Sequence, residues 1–117
     1  MKVRLSRWHE DVVVCEVVDN TAPPHLLEGL KHKGLGCALW GDHIETPIIV
    51  IDNRGGLTHD QLLAVEAHEL GHIMTNSVKE SDAEVFAIAL LRANGRLRAA
   101  QLLIERGVVC KEDVDRL

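Results

Sequence analysis

The run HELGH at positions 68–72 places two imidazoles and a carboxylate at a spacing suited to metal chemistry. On an α-helix, residues four apart lie on one face about one turn apart, so the imidazoles of His68 and His72 can meet at one point. Zinc binds neutral imidazole nitrogens in tetrahedral geometry, and a catalytic zinc site has three protein ligands and one water. The spacing therefore predicts that His68 and His72 are two of three zinc ligands.

Glu69 follows the first histidine by one residue, so it lies about 100° round the helix. From there its carboxylate can reach a zinc-bound water without binding the metal itself. The metal lowers the pKa of that water towards ~7, so Glu69 can take its proton and later pass it to a leaving amine. We therefore expect Glu69 to be a general base in peptide-bond hydrolysis.

Gly71 stands inside the predicted helix, where glycine costs about 1 kcal/mol of helix propensity relative to alanine. We expect another segment to pack closely against the helix at this position, beside the metal.

The alternative for the whole run is chance occurrence in an ordinary helix. His68 and His72 would then be surface or half-buried residues, and Glu69 a solvated charge.

The residues after His72 exclude one class of zinc peptidase. A metzincin would have Gly and His three and six residues after the second histidine, and this chain has Thr75 and Val78 there. The next acidic stretch, ESDAEVFA, begins at Glu80. A helical hairpin that turns at 75–78 would bring this stretch back beside His72.

Glu80 is the first choice as third ligand, and Asp82 is the rival. Glu84, one turn further on, could accept a hydrogen bond from a ligand histidine. A purely structural interpretation stays open, because Ser81 with Glu84 also spells a capping box and acidic residues favour a helix N-terminus.

The second half of the chain has the helices that this site needs. Thr58 and Gln61 form a predicted capping box that opens a helix over 59–74. A second helix runs from Lys79 or Asp82 to Ala93 and is apolar on every face over 85–91, which predicts a buried central helix. An amphipathic helix over 96–106 and a short helix within 108–117 follow. The inward-facing residues predicted for the amphipathic helix are Leu97, Ala100, Leu103 and Ile104.

The first half predicts strands and one helix. The run 12–18 is rich in β-branched residues and predicts a strand. A helix capped by Thr21 should follow and stop at Gly34, and two strands over 36–40 and 47–51 come next. Proline at the start of the last strand suits an edge or end position in a sheet. An edge strand there could pair with an extended peptide, which would add as a further strand. Simple burial explains its apolar run equally well. Strands first and helices after predict an α+β fold.

Composition bounds the class of protein. The 117 residues predict one domain, 1–117, and 46% hydrophobic with 26% charged residues is ordinary globular composition. A net charge of −5 gives no reason to expect direct nucleic-acid binding. Three cysteines without a CxxC pair make a disulfide framework unexpected and favour a cytoplasmic location. No run is long enough to cross a membrane, and no signal peptide is evident.

HELGH followed by E-x-x-A-[D/N/E]-x-F-A, here from Glu80 to Ala87, resembles the gluzincin metallopeptidases. Both the ImmA/IrrE family and the HtpX-like peptidases have this pattern. The small format is most similar to ImmA/IrrE proteins or to stand-alone minimal gluzincins. The resemblance covers about 48–91. The chain departs from the family pattern in two ways. Only seven residues separate His72 from Glu80, which demands a tight hairpin. Glu84 stands where Asp or Asn is usual.

The resemblance implies a small zincin-like domain, with an N-terminal sheet, an active-site helix and a C-terminal helical part. It implies Zn²⁺ bound by His68, His72 and Glu80, with Glu69 as base and Glu84 in a supporting position. The implied activity is hydrolysis of a peptide bond in a protein, which in ImmA/IrrE proteins is a helix-turn-helix repressor. The alternative is a metal-binding regulatory or interaction module that keeps the fold without proteolysis.

Zincins also use a His, Tyr or Arg to stabilise negative charge on the carbonyl oxygen. This chain has no tyrosine. His43, His59 or an arginine would have to serve, and each could equally be an ordinary loop or surface residue. His9, His25 and His32 share no helical face with each other or with the motif, so no role is assigned to them.

Overall fold

A computed structural model of the chain describes residues 1–31 and 34–117, so His32 lies outside the described residues. The chain is α+β, and its contacts divide it into two compact units, Met1–Leu57 and Thr58–Leu117. All the described strands lie in the first unit, and the second unit is helical. The predicted order, strands first and helices after, is confirmed.

The first unit is a four-stranded sheet in the order β1-β2-β4-β3. The strands are β1 (Lys2–Leu5), β2 (Val13–Val17), β3 (Gly36–Leu39) and β4 (Ile48–Asp52). β2 and β4 pair in parallel, while β1 and β3 pair antiparallel with β2 and β4 respectively. The parallel pair carries buried aliphatic residues at neighbouring positions, as is typical of parallel strands.

Of the two positions predicted for the strand at 47–51, the edge is wrong, while Pro47 does lie at the end of the strand. β4 lies between β2 and β3, and the edges of the sheet are β1 and β3. Ile49, Val50 and Ile51 are buried, so burial explains the apolar run. Pro47 directly precedes β4, and its carbonyl accepts a hydrogen bond from the Val13 N–H at 3.0 Å.

The helix of the first unit, α1 (Pro24–Leu30), is shorter than predicted and begins later. Its N-cap is Pro23, with no side-chain capping bond, so the predicted Thr21 cap is wrong. The Thr21 hydroxyl instead donates to the Asp19 carboxylate two residues earlier, which is a local turn contact. Leu30 of α1 is buried in a core cluster with Val17 and Val50 of the sheet.

The second unit contains α2 (His59–Thr75), α3 (Glu80–Ala93), α4 (Leu97–Arg106) and α5 (Lys111–Asp115). The predicted capping box at the start of α2 is confirmed, with the Gln61 N–H on the Thr58 hydroxyl at 3.2 Å and the Thr58 N–H on the Gln61 side chain at 2.8 Å. The short helix predicted within 108–117 is confirmed as α5.

Two packing predictions for this unit are wrong in part. α3 is not buried on every face, because Ala89 is exposed while Ala87, Ile88 and Leu91 are buried. In α4, Leu103 is buried as predicted, but Leu97 is 65% exposed. Leu97 is the first residue of α4, and the buried stripe begins further along the helix at Ala99, Ala100 and Leu103. Within the described ranges, no helix has the length and hydrophobicity needed to cross a membrane.

Candidate metal centre

One stretch of α2 carries His68, Glu69 and His72, and all three are buried. One ligand atom from each residue lies within 4.8 Å of the others. The two imidazoles meet edge to face, with ring centroids 4.9 Å apart. The four-residue spacing on a helix thus brings both rings to one place, as the sequence predicts.

The carboxylate of Glu80 lies directly against both imidazoles. His68 Nε2 is 2.8 Å from Glu80 Oε2, and His72 Nε2 is 3.0 Å from Glu80 Oε1. Ligand atoms on a tetrahedral zinc ion are about 3.3 Å apart, given bond lengths of about 2.0–2.1 Å. The contacts between the Glu80 carboxylate and the two imidazole nitrogens are therefore only a few tenths of an ångström shorter than the ligand spacing of a zinc site.

The other nitrogen of each ring has its own partner. His68 Nδ1 is 2.6 Å from Oε1 of Glu84, and His72 Nδ1 is 2.8 Å from the backbone carbonyl oxygen of Ser77. Both partners are acceptors, so each Nδ1 carries the proton and donates. In a neutral imidazole the remaining nitrogen, Nε2, is then an acceptor.

Acceptor atoms therefore converge at the point between His68, His72 and Glu80. Two Nε2 lone pairs face two carboxylate oxygens at hydrogen-bond distance, which is favourable only with positive charge between them. That charge can come from protons or from a metal cation. Two imidazoles and a carboxylate are a donor set that zinc binds in catalytic sites. The residues present fit a zinc ion.

Glu69 is placed for a different role from that of Glu80. Its Oε1 is 4.0 Å from His68 Nε2, and its Oε2 is buried without a hydrogen-bond partner. A buried carboxylate oxygen with no partner is rare and is often functional. Burial raises the pKa of Glu69, while the nearby His68 and His72 act in the opposite direction. These properties suit a general base beside a metal site better than a metal ligand.

Glu84 is fully buried, and its second oxygen, Oε2, has no hydrogen-bond partner. Burial by itself lowers the pKa of His68. The hydrogen bond to Glu84 and the negative charges of Glu69, Glu84 and Glu80 outweigh burial, so the pKa of His68 is raised. A carboxylate on the Nδ1–H also fixes the orientation of a ligand histidine and makes it more basic.

The hairpin that brings Glu80 back is tight. α2 ends in a Schellman motif, in which the Ser77 N–H donates to the His72 carbonyl and the Asn76 N–H to that of Ile73, both at 3.2 Å. Asn76 has the left-handed conformation, with φ of 51°. Residues 76–79 make the whole connection, and α3 begins at Glu80. The short spacing is therefore compatible with the site.

The capping-box interpretation of Ser81 and Glu84 is wrong. The N-cap of α3 is Lys79, so Ser81 lies inside the helix, and Glu84 is directed to His68. Asp82, the rival ligand, accepts a hydrogen bond from the Ser77 hydroxyl at 2.6 Å. The structure thus brings Glu80 and Glu84 to the histidines and Asp82 to the turn.

The close approach expected at Gly71 is confirmed. A Cβ atom built on Gly71 would lie 2.8 Å from the Cα of Ala83 and closer still to its carbonyl oxygen. α3 therefore crosses α2 one residue before Glu84, at a point where a side chain on α2 has no room.

The remaining candidates, those predicted to stabilise negative charge on the carbonyl oxygen, lie in different parts of the structure. His59 is exposed and nine residues before His68, about 13 Å along the helix axis. His43 is an exposed residue of the first unit. Arg106 is the last residue of α4, and its positive charge helps to lower the pKa of Glu69 against the larger effect of burial. Among the residue types predicted to stabilise negative charge on the carbonyl oxygen, arginine is therefore represented by Arg106.

Sequence patterns did not predict the role of Ser77, because any residue type can supply a backbone carbonyl. The one available signal was Asn76, since asparagine tolerates the left-handed conformation that ends a helix in a Schellman motif.

Comparison of the chain with protein-family models, with curated proteins and with solved structures gave no match.

Proposed function

We propose that this chain is a zinc-dependent metallopeptidase with a zincin-like fold. The observation that carries the proposal is the convergence of His68 Nε2, His72 Nε2 and the Glu80 carboxylate, with both Nδ1 atoms engaged elsewhere. This arrangement points three metal ligands at one place. The resemblance of the HELGH and E-x-x-A motifs to the gluzincins supports the same conclusion.

His68, His72 and Glu80 would hold the ion. When bound, zinc supplies a Lewis acid that lowers the pKa of a coordinated water and polarises a peptide carbonyl. The Glu80 side chain is 59% exposed, so the ligand set is open to solvent on its side. A catalytic site needs such an open position, whereas a structural zinc site is closed by four protein ligands.

Glu69 would move the proton. Its unpartnered Oε2 accepts a proton from the attacking water as the water oxygen bonds to the carbonyl carbon. When the carbon–nitrogen bond breaks, Glu69 returns the proton to the amine nitrogen. The second proton of the water, left on the new carboxyl group, also passes to the amine, so the products are a carboxylate and a protonated amine, and the Glu69 carboxylate is regenerated. Arg106 is the candidate to stabilise negative charge on the carbonyl oxygen.

The substrate class is a protein or peptide, and by the gluzincin resemblance a helix-turn-helix repressor is the first to test. The acidic net charge of −5 is in keeping with a protein substrate rather than with nucleic acid.

The decisive experiment compares zinc content and peptide hydrolysis in wild type and Glu69→Gln. We expect about one zinc per chain in both, and at least a ~100-fold loss of hydrolysis in the variant, because general-base catalysis contributes about 10²–10⁴-fold. Hydrolysis is measured on a proteome-derived peptide library by mass spectrometry of new termini. Asp60→Asn, in the first turn of the same helix, is the matched control and should retain both properties.

Wild-type protein without stoichiometric zinc would contradict the whole proposal, because the proposed hydrolysis depends on the ion. Zinc without Glu69-dependent hydrolysis would favour the alternative, a metal-binding regulatory or interaction module.

A further inference from the structure

Ser77 is the residue where three contacts of the α2–α3 turn meet. Its carbonyl oxygen accepts from His72 Nδ1 at 2.8 Å, and its hydroxyl donates to Asp82 Oδ2 at 2.6 Å. The same hydroxyl accepts from the Lys79 N–H at 3.1 Å. One residue thus links a candidate metal ligand to the first turn of α3.

We propose that Asp82 is a positioning residue of the metal centre, which acts through Ser77 to hold His72 and the turn that presents Glu80. The proposal rests on the proposed zinc site and names a residue that sets its metal affinity without touching the ion.

The turn controls two parts of the site at once. Ser77 supplies the acceptor that orients the His72 ring, and the ligand Glu80 follows Ser77 by three residues. Because the Glu80 side chain is 59% exposed, packing against neighbours holds it only in part. The path of the turn must therefore contribute to the position of its carboxylate.

Asp82 ties this turn to α3 by a short, charge-assisted hydrogen bond, which is stronger than a bond between neutral groups. Without the carboxylate, the Ser77 hydroxyl loses its acceptor in α3. The turn then has more freedom, and both the Ser77 carbonyl and Glu80 move with it. Metal affinity should fall although every ligand is still present.

Two substitutions separate positioning from ligation. Asparagine at position 82 keeps an oxygen that can accept from the Ser77 hydroxyl, but its neutral amide is a poor zinc ligand. Alanine removes both capacities. Positioning therefore predicts that Asp82→Asn retains zinc affinity and Asp82→Ala loses it, whereas ligation predicts that both lose it.

The test measures zinc dissociation constants by chelator competition for wild type, Asp82→Asn, Asp82→Ala and Ser77→Ala. We expect a 10–100-fold weaker affinity for the two alanine variants, as for other residues that orient metal ligands, and a near wild-type value for Asp82→Asn. The double alanine variant should be no weaker than either single variant, since both remove the same contact. Ser81→Ala, an exposed neighbour, is the control.

Cobalt substitution gives a readout independent of activity. At saturating Co²⁺ the visible absorption of Asp82→Ala should match that of wild type, because the ligand set is unchanged. In the zinc-free protein, the NMR signals of the His72 ring should broaden or shift in both alanine variants. If Asp82→Ala does not fold, Ser77→Ala makes the same comparison.

Wild-type zinc affinity in Ser77→Ala and Asp82→Ala would overturn the proposal. Loss in both Asp82 variants, with an altered cobalt spectrum at saturation, would also overturn it by making Asp82 a ligand. Absence of zinc from the wild-type protein is a different result, which contradicts the proposed function itself.

Discussion

The two histidines of the candidate centre are held by partners of different kinds. His68 donates to the buried carboxylate of Glu84, and His72 donates to a backbone carbonyl. A carboxylate partner adds negative charge and makes its histidine the more basic ligand. Glu84 itself is fully buried, and breaking a buried pair such as this one with His68 is destabilising.

Replacing Glu84 should weaken the metal site without removing a ligand. We expect Glu84→Ala to lower zinc affinity by about 10–100-fold, because His68 loses both its orientation and a basic partner. Glu84→Gln keeps an acceptor oxygen and should lose less. Isothermal titration with zinc measures both, and an unchanged affinity in Glu84→Ala would contradict the assigned role.

The same substitutions should change the titration of His68 in the zinc-free protein. Burial lowers the pKa of His68, and the hydrogen bond to Glu84 is the largest contribution that raises it. Glu84→Gln removes the negative charge, so the pKa of His68 should fall. NMR titration of the imidazole signals tests the direction, and a pKa that rises in the variant would contradict it.

At the scale of elements, the crossing of α2 and α3 sets the distance between the histidines and their acidic partners. Gly71 allows the backbone of α3 to approach at Ala83, which lies between Glu80 and Glu84 on the same helix. A side chain at this crossing would displace the two acids together.

Gly71→Ala should therefore be destabilising although alanine is the better helix former. The added methyl group has no room beside Ala83, and overpacking of this kind costs about 1–3 kcal/mol, against a gain of about 1 kcal/mol in propensity. Urea unfolding measures the net loss, and zinc affinity should fall with it.

Gly29 in α1 is the matched control, because nothing lies within 4 Å of a Cβ added there. Gly29→Ala should be neutral or stabilising. Equal effects at the two glycines would show that the crossing is unimportant.

The carboxyl ends of the parallel strands β2 and β4 are joined by Arg54. Its guanidinium donates twice to Asp52, each time at 2.8 Å, and once to Asn20 at 2.9 Å. The hydrogen bonds from Arg54 hold the pKa of Asp52 below its usual range. A carboxyl whose pKa is lowered by folding stabilises the fold at pH values above its unfolded pKa.

Arg54→Met should therefore lower the free energy of unfolding at pH 7 only slightly, because the pair is partly exposed. The difference from wild type should shrink as the pH falls below about 4 and Asp52 becomes protonated in the unfolded and then in the folded state. Urea unfolding at several pH values tests this, and a constant difference across that range would contradict it.

Sequence patterns predicted the elements that depend on neighbouring residues and failed where distant pairing decides. The capping box at Thr58 and the two histidines four apart are local signals, and both are found in the structure. The hairpin prediction also led to Glu80. The inner position of β4 depends on its parallel pairing with β2, which no local pattern specifies. β1 was missed because four residues with little burial carry almost no periodic signal.

At the scale of the whole molecule, a bound ion would join α2 to α3. It would stabilise the folded state and not the unfolded chain. The gain is about 4 kcal/mol when free zinc exceeds its dissociation constant a thousandfold, which amounts to about 10–20 °C in Tm for a chain of this size. We therefore expect chelation to lower the Tm measured by circular dichroism. Glu69→Gln should keep the zinc-dependent shift, while His68→Ala should lose it. A Tm that is indifferent to chelator would contradict zinc binding.

The same melt tests the prediction that 1–117 is one domain. The chain has two tryptophans, Trp8 and Trp40, and both lie in the first unit, whereas most helical signal comes from the second. One domain requires that fluorescence and circular dichroism report a single transition, with and without zinc. Separate transitions would mean two independently folding units.

The tight turn after α2 has a consequence for how the centre forms. His72 and Glu80 are eight positions apart and His68 and Glu84 sixteen, so the proposed ligands and the carboxylate partner of His68 lie on one short stretch of chain. Closing such small loops loses little chain entropy, and helical hairpins form faster than sheets built from distant strands. If the proposed ligands bind zinc, the ion would be captured before β2 pairs with β4, so we expect added zinc to accelerate the helical phase of refolding before the sheet is complete.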